Sequence, residues 1–278
     1  MIDCHLHIGH CDRSASQTLD HIRGLGCASA VLLPIESFDR PDGLTVPTED
    51  VLELHRQAPD LVIPFCSVDP RADDALPRLE KYAAQGCVGC GEQKLCLPID
   101  DPRSKDVYRV CGELGLPITV HLEEHNYNTG VLNFERVLEE FPQTVFIGHA
   151  QSFWAYLEPS PNPVNGYPKG PIDTPGPTFR WLITYPNLYG DLSAGSGLNG
   201  LTRDEDFTRE LLLGQAWHKL LWATDCPCLD GNGANWPSGC FGRHSVPVIQ
   251  RLAPSPGAAL AVLHNNAARL FRSPTVSC

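Results

Sequence analysis

Short apolar segments typical of buried β-strands recur eight times along this chain, and helical patterns separate them. Such alternation predicts a parallel sheet, because parallel neighbours need a crossover that is usually a helix. Eight such units in about 250 residues are the size of a (β/α)₈ barrel. We therefore predict one α/β domain of this type over residues 1–278, with strands at residues 2–7, 28–33, 61–68, 87–95, 117–121, 144–147, 188–191 and 220–223.

Helix periodicity and long interruptions fill the segments between these strands. Thr202 and Glu205 have the spacing of a capping box that opens a helix. Long loops are expected at 151–180, which is rich in Pro, Gly and aromatic residues, and at 229–243. We interpret the first as a cover over a site, because the strand–helix rhythm resumes after it. Helices are predicted at residues 18–25, 49–57, 75–84, 104–114, 134–141, 202–213, 245–252 and 258–271.

An open, doubly wound sheet is the alternative architecture. It would normally carry a Gly-rich phosphate loop after the first strand. Gly9, His10 and Cys11 follow that strand and form no such loop. The barrel is therefore the favoured fold.

Composition restricts the partners that such a domain can have. The formal net charge is −12 and the pI is about 5.3, which argues against nonspecific binding of nucleic acid. No leader is evident and no apolar run reaches membrane-spanning length, so we expect no membrane association and a cytoplasmic protein. The twelve cysteines are scattered and are interpreted as reduced thiols. Two pairs have zinc-like spacing but are not favoured as a structural zinc site: Cys87 with Cys90, and Cys226 with Cys228.

The first strand carries two closely spaced histidines, His5 and His7. Apolar Ile2, Cys4 and Leu6 alternate with them, as in a β-strand. Side chains at i and i+2 lie on one face, so both imidazoles point the same way. Two imidazoles this close can bind one divalent cation.

Further groups with metal affinity fall at or near the ends of other predicted strands. The active site of a (β/α)₈ barrel lies at the carboxyl ends of its strands. Side chains at those ends therefore converge on one mouth, and the joint pattern predicts a metal site there. The groups are His5 and His7 on the first strand, Glu92 and Lys94 on the fourth, His121 on the fifth, His149 on the sixth and Asp225 after the eighth.

This set of residues resembles the amidohydrolase superfamily. The motifs that carry the resemblance are His5-Leu6-His7, the strand-end histidines His121 and His149, and Asp225 within Thr224-Asp225-Cys226-Pro227. The tail from Leu263 to Phe271 resembles the closing helix of the amidohydrolase-related group, which includes aminocarboxymuconate semialdehyde decarboxylase and several lactonases. The resemblance covers essentially the whole chain, but its motifs do not name a substrate.

The resemblance implies a ligand set and two catalytic roles. His5, His7, His121 and Asp225 would hold a divalent ion, with one zinc expected and two zinc ions or Mn²⁺ left open. Asp225 would also accept a proton from water, and His149 would polarise the substrate or shuttle a proton. A zinc ion lowers the pKa of bound water to about 7, which makes hydroxide available at neutral pH.

Glu92 and Lys94 leave the number of metal ions open. Glu92 resembles the bridging glutamate of TatD-type nucleases, and Lys94 resembles the carbamylated bridging lysine of other superfamily members. A second metal would recruit His149 as a ligand. A simple ion pair between Glu92 and Lys94 at the mouth is the alternative.

Four side chains are candidates for contact with a substrate. They are Lys94, His125 in the loop after strand five, Asp191 at the end of strand seven, and Arg13 as an anchor for an anionic group. The histidines on predicted helices, including His21, are expected to be surface or packing residues.

The predicted function is hydrolysis of an amide, lactone or ester bond in a small polar molecule by zinc-activated water. A non-oxidative decarboxylase on the same scaffold, a lyase, is the first alternative. A two-metal phosphoesterase of the TatD kind is the second, and a metal-binding protein without activity is the third. The sequence does not reveal the oligomeric state, and only analogy with the scaffold suggests a homodimer.

Overall fold

The computed structural model describes residues 1–38, 45–161 and 166–271. Eight parallel strands surround the core, as the sequence predicts, in two sheets with the orders β1-β2-β3 and β4-β5-β6-β7-β8. The strands are β1 (Ile2–Leu6), β2 (Ser29–Leu32), β3 (Val62–Pro64), β4 (Cys90–Gln93), β5 (Ile118–His121), β6 (Phe146–His149), β7 (Leu188–Asp191) and β8 (Leu220–Leu221). Most are shorter than predicted, because apolar periodicity does not show where strand pairing stops.

Backbone hydrogen bonds at both edges connect the two sheets into a barrel. At the edge between β1 and β8, Cys4 N donates to Trp222 O at 3.2 Å and Asp225 N donates to His5 O at 2.8 Å. At the edge between β3 and β4, Cys66 N donates to Gly89 O at 2.9 Å. The predicted (β/α)₈ fold is confirmed.

Thirteen α-helical segments are present among the described residues. They are α1 (Ala15–Gly24), α2 (Thr48–Gln57), α3 (Ala75–Ala84), α4 (Pro102–Leu114), α5 (Phe134–Glu140), α6 (Gln151–Ala155), α7 (Pro177–Thr184), α8 (Ala194–Thr202), α9 (Glu205–Phe207), α10 (Leu213–Gln215), α11 (Phe241–Leu252), α12 (Pro256–Leu260) and α13 (Asn266–Leu270). One π-helical turn joins α9 to α10 and another joins α12 to α13, and these turns are Thr208–Leu212 and Ala261–Asn265.

The predicted capping box at Thr202 is wrong. Thr202 ends α8, and its hydroxyl donates backwards to Leu198 O at 2.8 Å. The cap of the next helix is Asp204, whose carboxylate accepts from Phe207 N at 3.0 Å. A carboxylate at this position satisfies a donor that the first helical turn leaves open, which Thr202 cannot do from inside α8.

The interrupting segments are only partly loops. The predicted loop 151–180 contains α6 and the first residues of α7, and its residues 162–165 lie outside the described chain. The predicted loop 229–243 runs as far as Cys240, where α11 begins. A single domain over 1–278 stays a prediction, with residues 272–278 outside the described chain. Within the described ranges, the structure has no helix long and apolar enough to cross a membrane.

Strand β1 does not keep the simple alternation that the sequence predicts. Its pairing with β2 shifts register between Asp3 and Leu6. On either side of this shift, Cys4 and Leu6 pack into different apolar clusters. A bulge redirects side chains on the bulged strand. The shift therefore adjusts how the strand presents its end.

Buried polar side chains fix the strand ends where the site lies. Asp3 accepts from Thr224 N at 2.9 Å and from its Oγ1 at 2.6 Å, which joins β1 to the segment after β8. Asn128 donates its amide to Gln93 O at 2.7 Å and to His121 O at 2.8 Å, which joins the ends of β4 and β5. A hydrogen bond of this kind contributes about 0.5–1.5 kcal/mol, so the two Asp3 contacts stabilise the barrel edge.

Gly197→Ala should destabilise the fold. A Cβ atom at Gly197 would lie 2.2 Å from the backbone carbonyl carbon of Leu192, in the connection from β7 to α8. The backbone must move, so we expect a loss of about 1–3 kcal/mol in the free energy of unfolding. Urea denaturation measures it. The matched control is Gly257→Ala in α12, where the added Cβ atom would lie 3.7 Å from Ser255 Oγ, an ordinary contact. We expect this variant to gain slightly in its free energy of unfolding. Equal midpoints for the two variants would contradict this packing.

Candidate metal centre

His5 and His7 form the centre of a buried cluster at the carboxyl ends of the strands. Their Nε2 atoms are 3.0 Å apart. His5 lies in β1, and His7 is the first residue after this strand. The local shape of β1 therefore presents both rings together. Nitrogen ligands of one tetrahedral zinc ion lie about 3.3 Å apart, given Zn–N distances of about 2.0–2.1 Å. The pair is therefore spaced for a shared cation.

The other ring nitrogen of each histidine is already engaged. His5 Nδ1 lies 2.6 Å from Asp191 Oδ2, and His7 Nδ1 lies 2.8 Å from Leu33 O. The neighbours of Nδ1 are acceptors, so each ring donates its Nδ1 proton to them and turns Nε2 toward the cluster, where a cation would bind. Carboxylates and carbonyls in this position orient histidine ligands in metal sites.

Glu92 lies among three histidines on the other side of the cluster. Its carboxylate is 2.5 Å from His121 Nδ1, 3.3 Å from His7 Nε2 and 3.6 Å from His149 Nε2. Glu123 Oε2 lies 3.1 Å from His121 Nε2. Both nitrogens of His121 thus face carboxylates.

Asp225 completes the cluster from the segment after β8. Its Oδ1 lies 3.7 Å from His7 Nε2 and its Oδ2 lies 3.9 Å from His149 Nε2. Oδ1 is buried and has no hydrogen-bond partner among the described residues. A buried carboxylate oxygen without a partner is costly unless it binds a cation or a proton.

Charges within the cluster favour a cation. Burial lowers the pKa of His5, but the carboxylates of Asp191 and Asp225 outweigh that effect and raise it to about 10. Burial raises the pKa of Glu92, and nearby His121 more than offsets this and holds it well below its usual range. The pKa of Asp225 is likewise lowered, against the effect of burial, by His5 and its neighbours. These carboxylates are ionised and need positive charge beside them.

Two sets of ligand atoms lie within 4.8 Å of one another at this position. They are His5, His7 and Asp225, and His5, Glu92 and His149. The spacing, the engaged Nδ1 atoms and the open oxygen of Asp225 all fit a divalent cation. His121, predicted as a ligand, is in neither set. In this structure its ring nitrogens are paired with Glu92 and Glu123, and its role as a ligand stays a prediction.

A cavity of about 230 Å³ opens from this cluster. The ends of the barrel strands, the first turn of α8 and both long interruptions supply its walls. The lining residues are His10, Lys94, His121, His149, Gln151, Tyr167, Ala194, Gly195, Ser196, Asp225, Pro227, Trp236 and Phe241. Residues of the segment 151–180 thus line the site, as the sequence indicates, and so do residues of the segment 229–243, for which no such role was predicted.

Two of the four predicted substrate contacts lie elsewhere. Arg13 is buried, and its guanidinium donates to the carbonyls of His7, Cys226 and Cys228 at 2.6, 2.8 and 2.9 Å. It holds backbone beneath the site and is not available to anchor an anion. His125 is exposed at the tip of the turn that Glu123 closes with Tyr127, and it is not among the residues that line the cavity.

Lys94 and Asp191 are placed differently from each other. Lys94 lines the cavity, with its Nζ 5.0 Å from the centre of the Tyr127 ring. Asp191 is buried behind His5 and His149, at 2.6 and 3.3 Å from their Nδ1 atoms. In this structure Asp191 therefore contacts two histidines, and its predicted contact with substrate stays a prediction.

Some residues at the site are not among the predicted site residues. Ser193 Oγ lies 2.9 Å from His149 Nδ1 and helps to fix that ring. His10 Nδ1 lies 3.6 Å from Asp225 Oδ1 in the cavity wall. The position of His10 just beyond β1 is the only signal for it in the sequence. Ser193 has the equivalent signal, two residues beyond the end of β7.

Asp191→Asn should weaken metal binding by about 10–100-fold, since an amide orients His5 less well and removes a charge. Competition with a chromophoric chelator measures the affinity. The matched control is Asp206→Asn, whose carboxylate is exposed and pairs with Arg209 on the surface. An affinity unchanged in Asp191→Asn would contradict the orienting role.

His5→Ala should weaken metal binding at this centre at least about tenfold and so lower the metal content by about one ion per chain, because removing a ligand costs more than removing its support. Elemental analysis of protein purified without chelator gives the stoichiometry. His218→Ala, at an exposed histidine, is the control and should keep its metal. Normal metal content in His5→Ala, with circular dichroism confirming the fold, would remove His5 from the centre.

Comparisons with known proteins agree with this geometry. Residues 37–273 match the sequence model of the Amidohydrolase family. No curated protein matches the sequence significantly. Among solved structures, a Pseudomonas putida protein provisionally described as a 2-pyrone-4,6-dicarboxylic acid hydrolase is similar with TM-score 0.64 and 17% identity, over 97% of this chain and 96% of that one.

Two decarboxylases share the fold as well. The 5-carboxyvanillate decarboxylase of Sphingomonas paucimobilis has TM-score 0.61 and 16% identity, over 95% of this chain and 84% of that one. A dihydroxybenzoic acid decarboxylase from a Polaromonas species, with bound manganese, has TM-score 0.60 and 12% identity, over 100% and 99%. The family match spans most of the sequence. This chain belongs to the amidohydrolase family and is a metal-dependent enzyme.

Proposed function

We propose that this enzyme is a hydrolase with one zinc ion, acting on an amide, lactone or ester bond of a small polar molecule. The observation that carries the proposal is the open Oδ1 of Asp225 beside His7 at the base of the cavity. A carboxylate there can both face a cation and accept a proton from water. Zinc supplies a water nucleophile near neutral pH and polarises a carbonyl.

A single ion is favoured because the two ligand sets share His5. Only Nε2 of His5 has a lone pair to offer, since Nδ1 faces Asp191. One nitrogen cannot complete two separate sites. Glu92 adjoins the same position. Its carboxylate can be a further ligand of one ion as readily as a bridge between two ions. Zinc is the proposed ion because imidazole and carboxylate ligands suit it, although Mn²⁺ accepts some of the same ligands.

The residues around the ion divide the proton chemistry. Asp225 would accept the proton that water loses and return it to the leaving group. Burial and nearby His5 lower the pKa of His149, so its ring stays neutral. Ser193 and Asp191 hold His149 at Nδ1, which leaves the Nε2 lone pair to accept a proton from water or substrate and pass it on.

The cavity supports a small substrate that carries negative charge. Its volume of about 230 Å³ is below the usual range of drug-sized pockets. Lys94 on its wall would pair with a carboxylate of the substrate. The structural relatives named above are described with carboxylated substrates, which agrees with this assignment.

A decarboxylase is the second candidate, since Lys94 would hold a carboxylate equally well and two relatives bear that description. In that reaction the carbon that loses carbon dioxide must receive a proton. His10 and His149 both line the cavity and could deliver one. A two-metal phosphoesterase is less favoured, because a second ion needs ligands beyond the shared His5.

Isotope labelling separates the two candidates. A panel of carboxylated lactones, amides and aromatic acids would be incubated with zinc-loaded enzyme in ¹⁸O-water and, separately, in deuterium oxide. Hydrolysis places one ¹⁸O atom in the new carboxylate, and we expect this result. Carbon dioxide release with deuterium on the product carbon would establish the lyase instead.

Asp225→Asn should lower kcat by at least about 10²-fold, because the amide cannot accept a proton. The matched control is Asp230→Asn, five residues further along the chain, where the carboxylate accepts hydrogen bonds from backbone amides. Single-substrate kinetics at saturating zinc measure the effect. A kcat equal to that of wild type would exclude Asp225 as the base.

A further inference from the structure

A second cluster of metal-binding side chains lies apart from the catalytic cavity. Cys226 Sγ is 3.2 Å from Cys228 Sγ, and Cys228 Sγ is 3.5 Å from His21 Nδ1. The Cys240 thiol is within hydrogen-bonding reach of both other thiols. The ligand atoms of His21, Cys228 and Cys240 all lie within 4.8 Å of one another; Cys226 is outside this set and adjoins it through its 3.2 Å contact with Cys228. All four residues are fully buried.

We propose that Cys226, Cys228, Cys240 and His21 bind a structural zinc ion. Three cysteines and one histidine are a common ligand set of closed, tetrahedral zinc sites. The proposal does not depend on the function proposed for the catalytic cavity. It departs from two expectations from the sequence, that a zinc site at the Cys226–Cys228 pair is not favoured and that His21 is a surface or packing residue.

The imidazole of His21 has unused bonding capacity. Its Nδ1 faces Cys228 O at 3.0 Å and Arg13 at 3.4 Å, while Nε2 is buried with no hydrogen-bond partner among the described residues. One ring nitrogen is therefore left without a partner in either tautomer. A buried polar atom of this kind is rare without a ligand or water.

The local charge suits thiolates. Zinc binding releases three thiol protons to solvent, and the bound site then carries one net negative charge. The guanidinium of Arg13 donates to the carbonyls of Cys226 and Cys228, so a buried cation adjoins the sulfur atoms. Neighbouring arginine favours the thiolate form that zinc needs.

The sulfur separation requires little adjustment. Sulfur ligands of tetrahedral zinc lie about 3.8 Å apart, given a Zn–S distance of about 2.3 Å. The 3.2 Å between Cys226 and Cys228 is short of this by a few tenths of an ångström, and it is far longer than a disulfide bond of about 2.05 Å. A rotation about the side-chain bonds is enough to open it.

The site would connect three parts of the fold. His21 lies in α1, Cys226 and Cys228 follow β8, and Cys240 caps the start of α11. Cys226 is the next residue after Asp225. A zinc ion there would hold the ends of the segment 229–239 and fix the backbone that carries the proposed catalytic base.

Another group of buried cysteines provides the comparison. The Cys66 thiol contacts those of Cys87 and Cys90, and the Cys90 thiol also contacts that of Cys111. In the described chain, no three of these residues have ligand atoms that all lie within 4.8 Å of one another. Cys111→Ala is therefore a matched control for loss of a buried thiol.

Cobalt substitution of the full chain tests the site. Thiolate ligands give Co²⁺ an intense near-ultraviolet charge-transfer absorption, which the nitrogen and oxygen ligands of the catalytic centre do not give. We expect this absorption in wild type, in His5→Ala and in Cys111→Ala. It should be lost in Cys228→Ala and in Cys240→Ala. The result for His5→Ala separates this site from the catalytic centre.

X-ray absorption at the zinc edge of wild type needs no variant and guards against misfolding. We expect sulfur neighbours at about 2.3 Å. Absence of both the cobalt absorption and the sulfur shell would overturn the proposal. So would a mass two hydrogens below that of the reduced chain, which indicates a disulfide in place of the zinc.

Discussion

The carboxylate of Asp191 makes the contacts on which the candidate metal centre depends. It is buried behind two histidines and faces the Nδ1 atoms of both. A buried carboxylate is tolerated only when it is paired, and here the pairing also fixes which nitrogen of His5 is left for a ligand. Because Asp191 ends β7 and His5 lies in β1, the contact crosses the barrel mouth. The catalytic cluster and the closed barrel therefore require each other.

Much of the arrangement could be predicted from the sequence. Parallel strands present their carboxyl ends at one mouth, so His5, His149 and Asp225 could be assigned to one site from strand order alone. The fold followed from the recurring strand–helix pattern. Periodicity does not predict the direction of side chains beyond a strand end. For this reason the sequence did not show that Arg13 and His125 lie away from the cavity.

Local signals were also open to competing interpretations. Ser14 and Gln17 form a complete capping box, which starts α1 three residues before the predicted position. Thr202 and Glu205 have the same spacing and form none, because Thr202 is still within α8. The burial of His21 depends on α1 packing against the segment after β8. Such contacts join residues about 200 positions apart, and no pattern in the sequence reports them.

The order of the site residues along the chain has a consequence for synthesis. His5 and His7 leave the ribosome before Asp191 and Asp225, which lie much further along the sequence. Until these carboxylates emerge, the first strand exposes two imidazoles and the unpaired Asp3 without the partners that orient them. A nascent chain therefore has no complete cation site for most of its translation, and ion selection belongs to the finished barrel.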